Sequence, residues 1–284
     1  MQKTRHWRGM TKMRRFFALL TAAGLAALLT VMTSVPVMAA GKAARVAKYS
    51  GTGSFAAAVA TGSILQEGDF SAVVLKDGTV RITGYRSGSG RPGTIPDRIG
   101  GCAVSEIGEN ALAYGEFEEL VIPDSVRYIG ENAFEYAEIS KSIAFPEGIV
   151  IGSDAFEYAL LPEQMTLPAG TEVQSEAFSY CEGLEELILK ENVVLGAMSF
   201  EYAEDVETIV IAPGCRIGER AFEYAESLKA VTCAGGGTDA PGAVIGSRAF
   251  GYCRRLETVI IDENTSVAED AFSGCRNVKV TRGE

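Results

Sequence analysis

The chain has 284 residues, enough for one large domain or two ordinary ones with a substantial core. Apolar residues make up 47% and charged residues 22%, a composition that excludes a wholly disordered chain. The 37 Asp and Glu residues outnumber the 26 Lys and Arg residues, and the net charge of −11 argues against nucleic acid as a partner, since such binding depends on phosphate contacts.

Residues 1–39 have the layout of a secretory signal peptide. Six basic residues and no acid precede an uncharged run from Phe16 to Ala40, and the small residue Ala39 is placed for cleavage. The alternative is an uncleaved anchor, since the run is long enough to span a bilayer. Polar residues and a proline in its last third favour cleavage. We predict a secreted or cell-surface protein that contacts the membrane, if at all, only through an uncleaved signal segment.

Cleavage after Ala39 changes the composition of the mature chain. It removes six basic residues and no acid, which leaves 20 basic against 37 acidic residues and a net charge of −17. It also removes His6 and Trp7, the only histidine and tryptophan. A Ser-His-Asp triad, a Cys-His pair and a His-containing zinc site are then impossible. We predict no cofactor, no metal site and no enzymatic activity.

Two segments precede the main part of the chain. Residues 40–69 are rich in Ala, Gly and Ser and are predicted to form a flexible spacer. In residues 70–93, two alternating runs flank Lys76, Asp77 and Gly78, a pattern typical of a β-hairpin. Such a hairpin would cap the open edge of a repeat array.

Residues 94–284 contain about eight copies of one motif, Ile-Gly-x-x-Ala-Phe-x-x-Cys/Ala. Its aromatic position recurs at spacings of 22, 22, 22, 22, 22, 28 and 22 residues. The residues at this position are Leu112, Phe134, Phe156, Phe178, Phe200, Phe222, Phe250 and Phe272. A fixed period of this length predicts a solenoid, in which each unit buries its apolar face against its neighbours. The longer interval contains a Gly-rich stretch that predicts a surface loop.

Four later repeats also carry an L-x-x-L-x-L pattern, as in Leu184, Leu187 and Leu189, and the first three repeats are looser. This is the strand signature of a leucine-rich repeat. We therefore predict a β-rich leucine-rich-repeat solenoid with one short strand per 22-residue repeat, little regular helix and an N-terminal β-hairpin cap.

The complete motif, with Pro closing the first three strands, resembles the BspA-like leucine-rich-repeat family of microbial surface proteins. The resemblance covers about Thr94 to Lys279, and residues 70–86 resemble the segment that precedes the repeats in that family. It implies a secreted or surface-displayed protein that acts in adhesion, with host or matrix proteins as partners.

The first candidate binding surface is a tyrosine two residues after each aromatic position. These residues are Tyr114, Tyr136, Tyr158, Tyr180, Tyr202, Tyr224 and Tyr252, and the last repeat has Gly274 instead. Stacked coils would bring them into one stripe, and tyrosine suits protein or glycan binding because it combines contact area with a polar tip. The alternative is that the stacked rings only seal the flank of the solenoid.

The second candidate surface is the outward side of the strands. Its apolar members are Val121, Ile188, Val210 and Ile260. A contiguous exposed apolar stripe marks an interaction site. The alternative is β-propensity alone, because Val and Ile are favoured in any strand.

The acidic and sulfhydryl residues are the remaining chemical candidates. Glutamates recur near the strand starts (Glu185, Glu186, Glu207 and Glu257) and are interpreted as solvated rather than catalytic. Of the six cysteines, Cys181, Cys253 and Cys275 occupy the small-residue slot three positions after the aromatic residue. They are interpreted as buried filler, and a disulfide between the last two remains open, since they lie one coil apart.

Three functions remain open from the sequence. The favoured one is a secreted or surface-displayed binding protein with an extracellular protein or glycan as partner. The second is a carbohydrate-active enzyme on a parallel β-helix, and the third is a structural envelope protein without an external ligand.

Overall fold

The computed structural model describes residues 60–86, 94–234 and 241–283, together with the backbone of a two-residue strand, Ala47–Lys48. The predicted signal peptide, most of the predicted spacer and residues 87–93 of the predicted cap lie outside the described residues. Every regular element within the described ranges is a strand, and no helix there is long and apolar enough to cross a membrane.

Three antiparallel strands precede the repeats. They are β2 (Ile64–Glu67), β3 (Phe70–Val74) and β4 (Val80–Tyr85), and β1 (Ala47–Lys48) pairs in parallel with β2. The predicted turn joins β3 and β4, and there the Asp77 carboxylate accepts hydrogen bonds from the backbone N–H and the hydroxyl of Thr79.

The cap therefore differs from the predicted hairpin by one strand. β2 lies in residues 40–69, the segment interpreted as a flexible spacer, and its Leu65 is buried. A four-residue strand next to an Ala- and Gly-rich stretch is too short to stand out by alternation. The last cap strand, β4, pairs in parallel with β6 (Cys102–Ile107), which also pairs with β5 (Arg98–Ile99). The cap thus covers the sheet edge of the first repeat.

Each repeat contributes two strands to the solenoid. The longer strands follow the aromatic position of each repeat and are β7 (Glu116–Val121), β9 (Glu138–Ala144), β11 (Gln164–Leu167), β13 (Glu186–Leu189), β15 (Thr208–Ile211), β17 (Ala230–Cys233), β19 (Thr258–Ile261) and β21 (Lys279–Arg282). The shorter strands are β8 (Tyr128–Ile129), β10 (Val150–Ile151), β12 (Glu172–Val173), β14 (Val194–Leu195), β16 (Arg216–Ile217), β18 (Val244–Ile245) and β20 (Ser266–Val267).

The prediction of a leucine-rich-repeat solenoid with little helix is confirmed, and its count of one strand per repeat is corrected to two. The additional strand lies at the Ile-Gly pair, which the sequence indicated only as a turn. Two residues cannot show an alternating pattern, so this strand becomes visible only through its pairing with the next coil. The N–H of Gly130, for example, donates to the carbonyl of Ile107 at 2.8 Å.

The short strands of successive repeats pair in parallel and in register, as do the long strands from β11 onward, whereas the β7–β9 pair has a register shift between Phe117 and Glu119. The short strands extend the cap sheet in the order β4-β6-β8-β10-β12-β14-β16-β18-β20. The long strands form a two-stranded sheet, β7-β9, and a six-stranded sheet, β11-β13-β15-β17-β19-β21. The 28-residue repeat keeps this register, because Val231 in β17 pairs with Val259 in β19. Its additional residues, of which 235–240 are outside the described ranges, do not shift the ladder.

A column of phenylalanine rings forms the centre of the core. The six rings of Phe134, Phe156, Phe178, Phe200, Phe222 and Phe250 are fully buried. Neighbouring rings in this set are nearly parallel, with centroids 4.7–5.4 Å apart. The coils approach closely enough that a Cβ on Gly152 would lie 2.7 Å from the carbonyl oxygen of Ile129. Because buried aromatic rings dominate core energetics, this column is a main source of stability.

Candidate functional site

The seven tyrosines, called here the tyrosine column, all occupy a left-handed turn position. Their φ angles lie between 56° and 64°. This conformation is uncommon for residues other than glycine and costs about 1–3 kcal/mol at each position. The eighth repeat has Gly274 at this position with a φ of 81°. A Cβ there would lie 2.6 Å from the ring of Tyr252, so both the backbone and the neighbouring ring explain the glycine.

The structure brings all seven tyrosines together as one stack. Adjacent ring centroids are 4.7–5.2 Å apart, and the ring planes differ by at most 19°. Each ring therefore covers the faces of its neighbours, and the exposed area belongs mainly to ring edges. Tyr114 is 51% exposed and Tyr180 is 38% exposed. The column is a continuous, half-exposed strip that offers edges rather than open ring faces.

The phenol groups of four members of the column, Tyr114, Tyr136, Tyr180 and Tyr202, remain protonated at neutral pH. Burial, followed by nearby carboxylates and phenols, raises the pKa of Tyr136, Tyr180 and Tyr202 above its usual value. For Tyr114, burial and the carboxylate of Glu135 raise the pKa. A neutral phenol both donates and accepts a hydrogen bond, so the column can present these groups at the coil spacing.

A second column of side chains runs beside the tyrosines, one residue earlier in each repeat. In coils with glutamate there, burial raises the pKa of Glu135, and nearby Asp154 adds to the effect. Burial also raises the pKa of Glu157 to about 7, with further contributions from the carboxylates of Asp154, Glu135 and Glu176. A fraction of Glu157 is thus protonated near neutral pH.

Farther along the same column, an ion network joins three coils. Glu223 is fully buried and accepts hydrogen bonds from both Arg220 and Arg248, the latter at 2.5 Å between Nη2 and Oε1. Arg220 Nη2 also donates to Glu201 Oε1 at 2.7 Å. The guanidinium of Arg248 lies 5.5 Å from the ring centroid of Tyr252. We call these four charged residues the arginine network.

The predicted strand-face residues form a less continuous surface. Ile188 pairs with Val210, but Thr232 separates Val210 from Ile260. Val121 belongs to the separate two-stranded sheet and borders a shallow depression of about 460 Å³. Val121 and Ile260 are exposed, whereas Ile188 and Val210 are half-buried. The structure places all four on strands but does not join them into one apolar stripe.

The carboxylates near the strand starts lie along a ladder of successive coils. Glu185, Glu186 and Glu207 border a shallow depression of about 180 Å³, and Glu207 pairs with Lys229. Within the described ranges, no group of three or more His, Cys, Asp or Glu residues is arranged to hold a metal ion.

The cysteines at the small-residue position, called here the cysteine slot, are buried within the solenoid and less buried at its end. Cys181 and Cys253 are buried, and Cys275 in the last repeat is half-buried. The described cysteines are all free thiols, so the structure contains no Cys253–Cys275 disulfide. A hydrogen bond between these two thiols lowers the pKa of Cys275 and raises that of Cys253, whose burial adds to the increase.

The difference in burial between Cys275 and Cys181 predicts a difference in their reactivity. Because the thiolate is the nucleophile, half-buried Cys275 is expected to react with iodoacetamide at least about tenfold faster than Cys181, whose pKa is raised by burial. Peptide mapping by mass spectrometry after brief labelling of the folded, reduced protein measures the rates. Labelling in denaturant is the control and should make the two rates similar. Equal rates in the folded protein would contradict the burial of the cysteine slot.

The sequence predicted the tyrosine column but missed the charged column beside it. Only the tyrosine repeats with the period, whereas the residue before it is Ala113, Glu135, Glu157, Ser179, Glu201, Glu223, Gly251 or Ser273. Four of the eight are glutamate, a signal that was visible as Glu-Tyr pairs. Arg220 and Arg248 carry no comparable signal, since the same position two residues before the aromatic ring holds Asn132 and Asp154 in earlier repeats.

Parallel pairing of short strands, mostly at a 22-residue period, defines this chain as a parallel-stranded β-solenoid. The model of the BspA type leucine rich repeat region matches residues 105–229 and 150–279, with six copies. The chain belongs to this family. A search of the curated proteins found no match.

Solved structures of bacterial proteins are similar to this chain at low sequence identity. A leucine rich cell surface protein from Faecalibacterium prausnitzii A2-165 is 17% identical, with 78% of this chain and 95% of that chain covered and a TM-score of 0.35. The pneumococcal vaccine antigen PcpA is 16% identical, with 80% and 89% covered and a TM-score of 0.41. A leucine-rich repeat protein from Bacteroides ovatus ATCC 8483 is 18% identical, with 77% and 99% covered and a TM-score of 0.28.

Proposed function

We propose that this protein is an exported, non-catalytic binding protein of the cell surface that holds an extracellular protein through its tyrosine column. The observation that carries the proposal is the retention of tyrosine in seven successive left-handed positions, where glycine or asparagine would be less strained. Strained backbone positions cluster at functional sites. The basic and apolar start of the sequence supports export.

A protein partner suits the geometry better than a glycan. A sugar ring stacks on an open aromatic face, and in the tyrosine column the faces are covered by neighbouring rings. Ring edges and neutral phenols remain, and these suit the hydrogen-bonding and apolar groups of a polypeptide. An aromatic strip of this kind provides contact area at a low entropy cost, because tyrosine has few rotatable bonds.

The test is binding of the purified full chain to fractionated extracellular proteins and to a glycan array. Changing Tyr158, Tyr180 and Tyr202 to Asn, which tolerates the left-handed backbone, is expected to weaken binding of the captured protein at least about tenfold. Biolayer interferometry measures the affinity, and circular dichroism checks that the variant is folded.

The matched control places charge on the strand face through Ile188→Lys and Val210→Lys, and binding is expected to remain unchanged. If only this control variant lost binding, the binding site would lie on the strand face instead. Unchanged binding in the tyrosine variant, together with a lower unfolding temperature, would show that the column only seals the flank of the solenoid.

A further inference from the structure

Two thiols lie at the same turn position in the last two repeats. Cys253 and Cys275 are 22 residues apart, and each comes three residues after the phenylalanine of its repeat. The turns that carry them are bonded directly, since the N–H of Tyr252 donates to the carbonyl of Ser273 at 2.7 Å. Backbones paired in this way are about 4.8 Å apart, which is within the Cα separation of about 4.4–6.8 Å that a disulfide spans.

The side chains of the two cysteines point in the same direction, toward the preceding coil. The Sγ atom of Cys253 donates to the carbonyl of Phe222 in the coil before it, at 3.2 Å. The Sγ atom of Cys275 donates to the carbonyl of Phe250 at 3.1 Å, and Phe250 lies three residues before Cys253 in the same turn. The sulfur of Cys275 therefore reaches into the turn that holds Cys253, where the two thiols are hydrogen-bonded.

The two thiols differ in their access to solvent. Cys253 is fully buried, whereas Cys275 is half-buried. A reagent from solvent therefore meets Cys275 first, with Cys253 directly behind it. Thiol–disulfide exchange proceeds through a mixed disulfide that a second thiol then resolves, and an accessible thiol beside a buried one suits these two steps.

The fold does not require sulfur at this position. Alanine occupies it in the third, fifth and sixth repeats, where Ala159, Ala203 and Ala225 are fully buried. Cys181 in the fourth repeat lies between the coils of Ala159 and Ala203, so neither neighbouring coil offers it a thiol at the same position. Consecutive cysteines occur at this position in the last two repeats alone.

The last coil is packed less tightly than the coil before it. Phe272 and Val267 of the last repeat are half-buried. Their counterparts in the preceding repeat, Phe250 and Ile245, are buried. Since each unit of a solenoid is stabilised by its neighbours, a less tightly packed coil opens more readily. A covalent bond between the two cysteines would close one complete coil and oppose this opening.

We propose that Cys253 and Cys275 form a redox lock, a disulfide that closes the last coil under oxidising conditions and releases it under reducing conditions. The structure shows the reduced form, in which the described cysteines are free thiols. The inference is independent of the proposed function, because it concerns the last coil and not the partner.

A small disulfide such as oxidised glutathione is the oxidant that the redox lock requires. The Cys275 thiolate attacks one of its sulfur atoms and releases the first small thiolate. The sulfur of Cys253 then loses its proton and displaces the second small thiolate from the mixed disulfide. The protons of the two cysteines pass to the released thiolates. Two protein thiols are thereby oxidised to one disulfide, and one small disulfide is reduced to two thiols.

The experiment incubates the purified full chain with oxidised or reduced glutathione and maps its cysteines by mass spectrometry without prior reduction. Oxidised glutathione is expected to produce a cross-link between Cys253 and Cys275, with the loss of two hydrogens. Hydrogen exchange of the β21 amides, which pair with β19, should then slow at least about tenfold, because the bond restrains local opening. Dithiothreitol should restore the exchange rate of the reduced chain.

Alanine variants test the order of the steps, and the alanines found at this position in other repeats show that the fold accepts the change. Cys253→Ala is expected to stop at a mixed disulfide between Cys275 and glutathione. Cys275→Ala is expected to leave Cys253 unmodified, and neither variant should show slower exchange in β21. Cys181→Ala is the matched control and should form the redox lock as the unchanged chain does.

Three results would overturn the redox lock. The first is a mixed disulfide on Cys275 that persists in the unchanged chain, or no reaction there at all. The second is a cross-link that joins other cysteines in place of Cys253 and Cys275. The third is formation of the expected disulfide with no change in the exchange of β21, because the bond would then not hold the last coil.

Discussion

Phe178→Ala is expected to lower the free energy of unfolding by about 3–5 kcal/mol, the range for removing a fully buried aromatic ring. Phe178 is 0% exposed and lies between Phe156 and Phe200, with ring centroids 4.9 and 4.7 Å away. Parallel pairing fixes the distance between coils, so the neighbouring rings cannot close the cavity. In a solenoid each coil is stabilised mainly by its neighbours, so this change weakens two interfaces at once.

Urea unfolding of the full chain, followed by circular dichroism, measures this loss. Phe272→Ala is the matched control, because Phe272 occupies the same position in the last repeat, is only half-buried and stacks on one ring, that of Phe250. Its effect should be less than half as large. Similar effects for the two substitutions would mean that the column does not carry the stability that its geometry indicates.

Arg220→Met is expected to cost about 3 kcal/mol of stability, because removal of one partner from a buried ion pair leaves a charge without compensation. The carboxylate of Glu223 is fully buried and would keep only Arg248, while Glu201 would lose its ion pair altogether. The methionine retains most of the apolar volume of the arginine stem, so the effect reports on charge rather than on packing.

A double-mutant cycle separates these contributions. Adding Glu201→Gln to Arg220→Met removes the buried carboxylate that has lost its cation and should restore about half of the lost stability, as measured by thermal unfolding. Lys229→Met provides the comparison at an exposed pair, since Lys229 contacts Glu207 at the surface, and it should cost less than about 1 kcal/mol. A double variant less stable than Arg220→Met alone would contradict the role assigned to the buried carboxylate.

The periodic features of the fold could be predicted from the sequence because one physical requirement repeats in every coil. The phenylalanine column and the tyrosine column follow from residues at fixed 22-residue spacing, and the structure stacks both. The insertion in the sixth interval is recognisable because the same motif resumes after it. The family match, rather than the strand count, separates this chain from a parallel β-helix, since each coil has two strands instead of one.

Features that differ between repeats could not be predicted in the same way. β2 was not predicted, because four residues are too few to show a clear alternation. The short strands were not predicted either, because only their pairing with the next coil defines them. The sequence showed that Gly274 replaces the tyrosine in the last repeat. The reason became clear only from the backbone, which is left-handed at this position. Only part of the second column is paired with cations, and those cations are Arg220 and Arg248. Each of them contacts a glutamate of a neighbouring coil, a contact that the repeat pattern does not show.

Parallel pairing in register also has a consequence for how such a chain can change in evolution. From β11 onward, each coil offers the next one the same set of backbone donors and acceptors, and Val231 and Val259 preserve this match across a repeat of unusual length. Duplication or deletion of a gene segment that encodes one of these coils would therefore leave the strand pairing between the remaining coils intact. The length of the tyrosine column is then counted in whole coils, so a lineage can lengthen or shorten this column by recombination alone, one ring at a time.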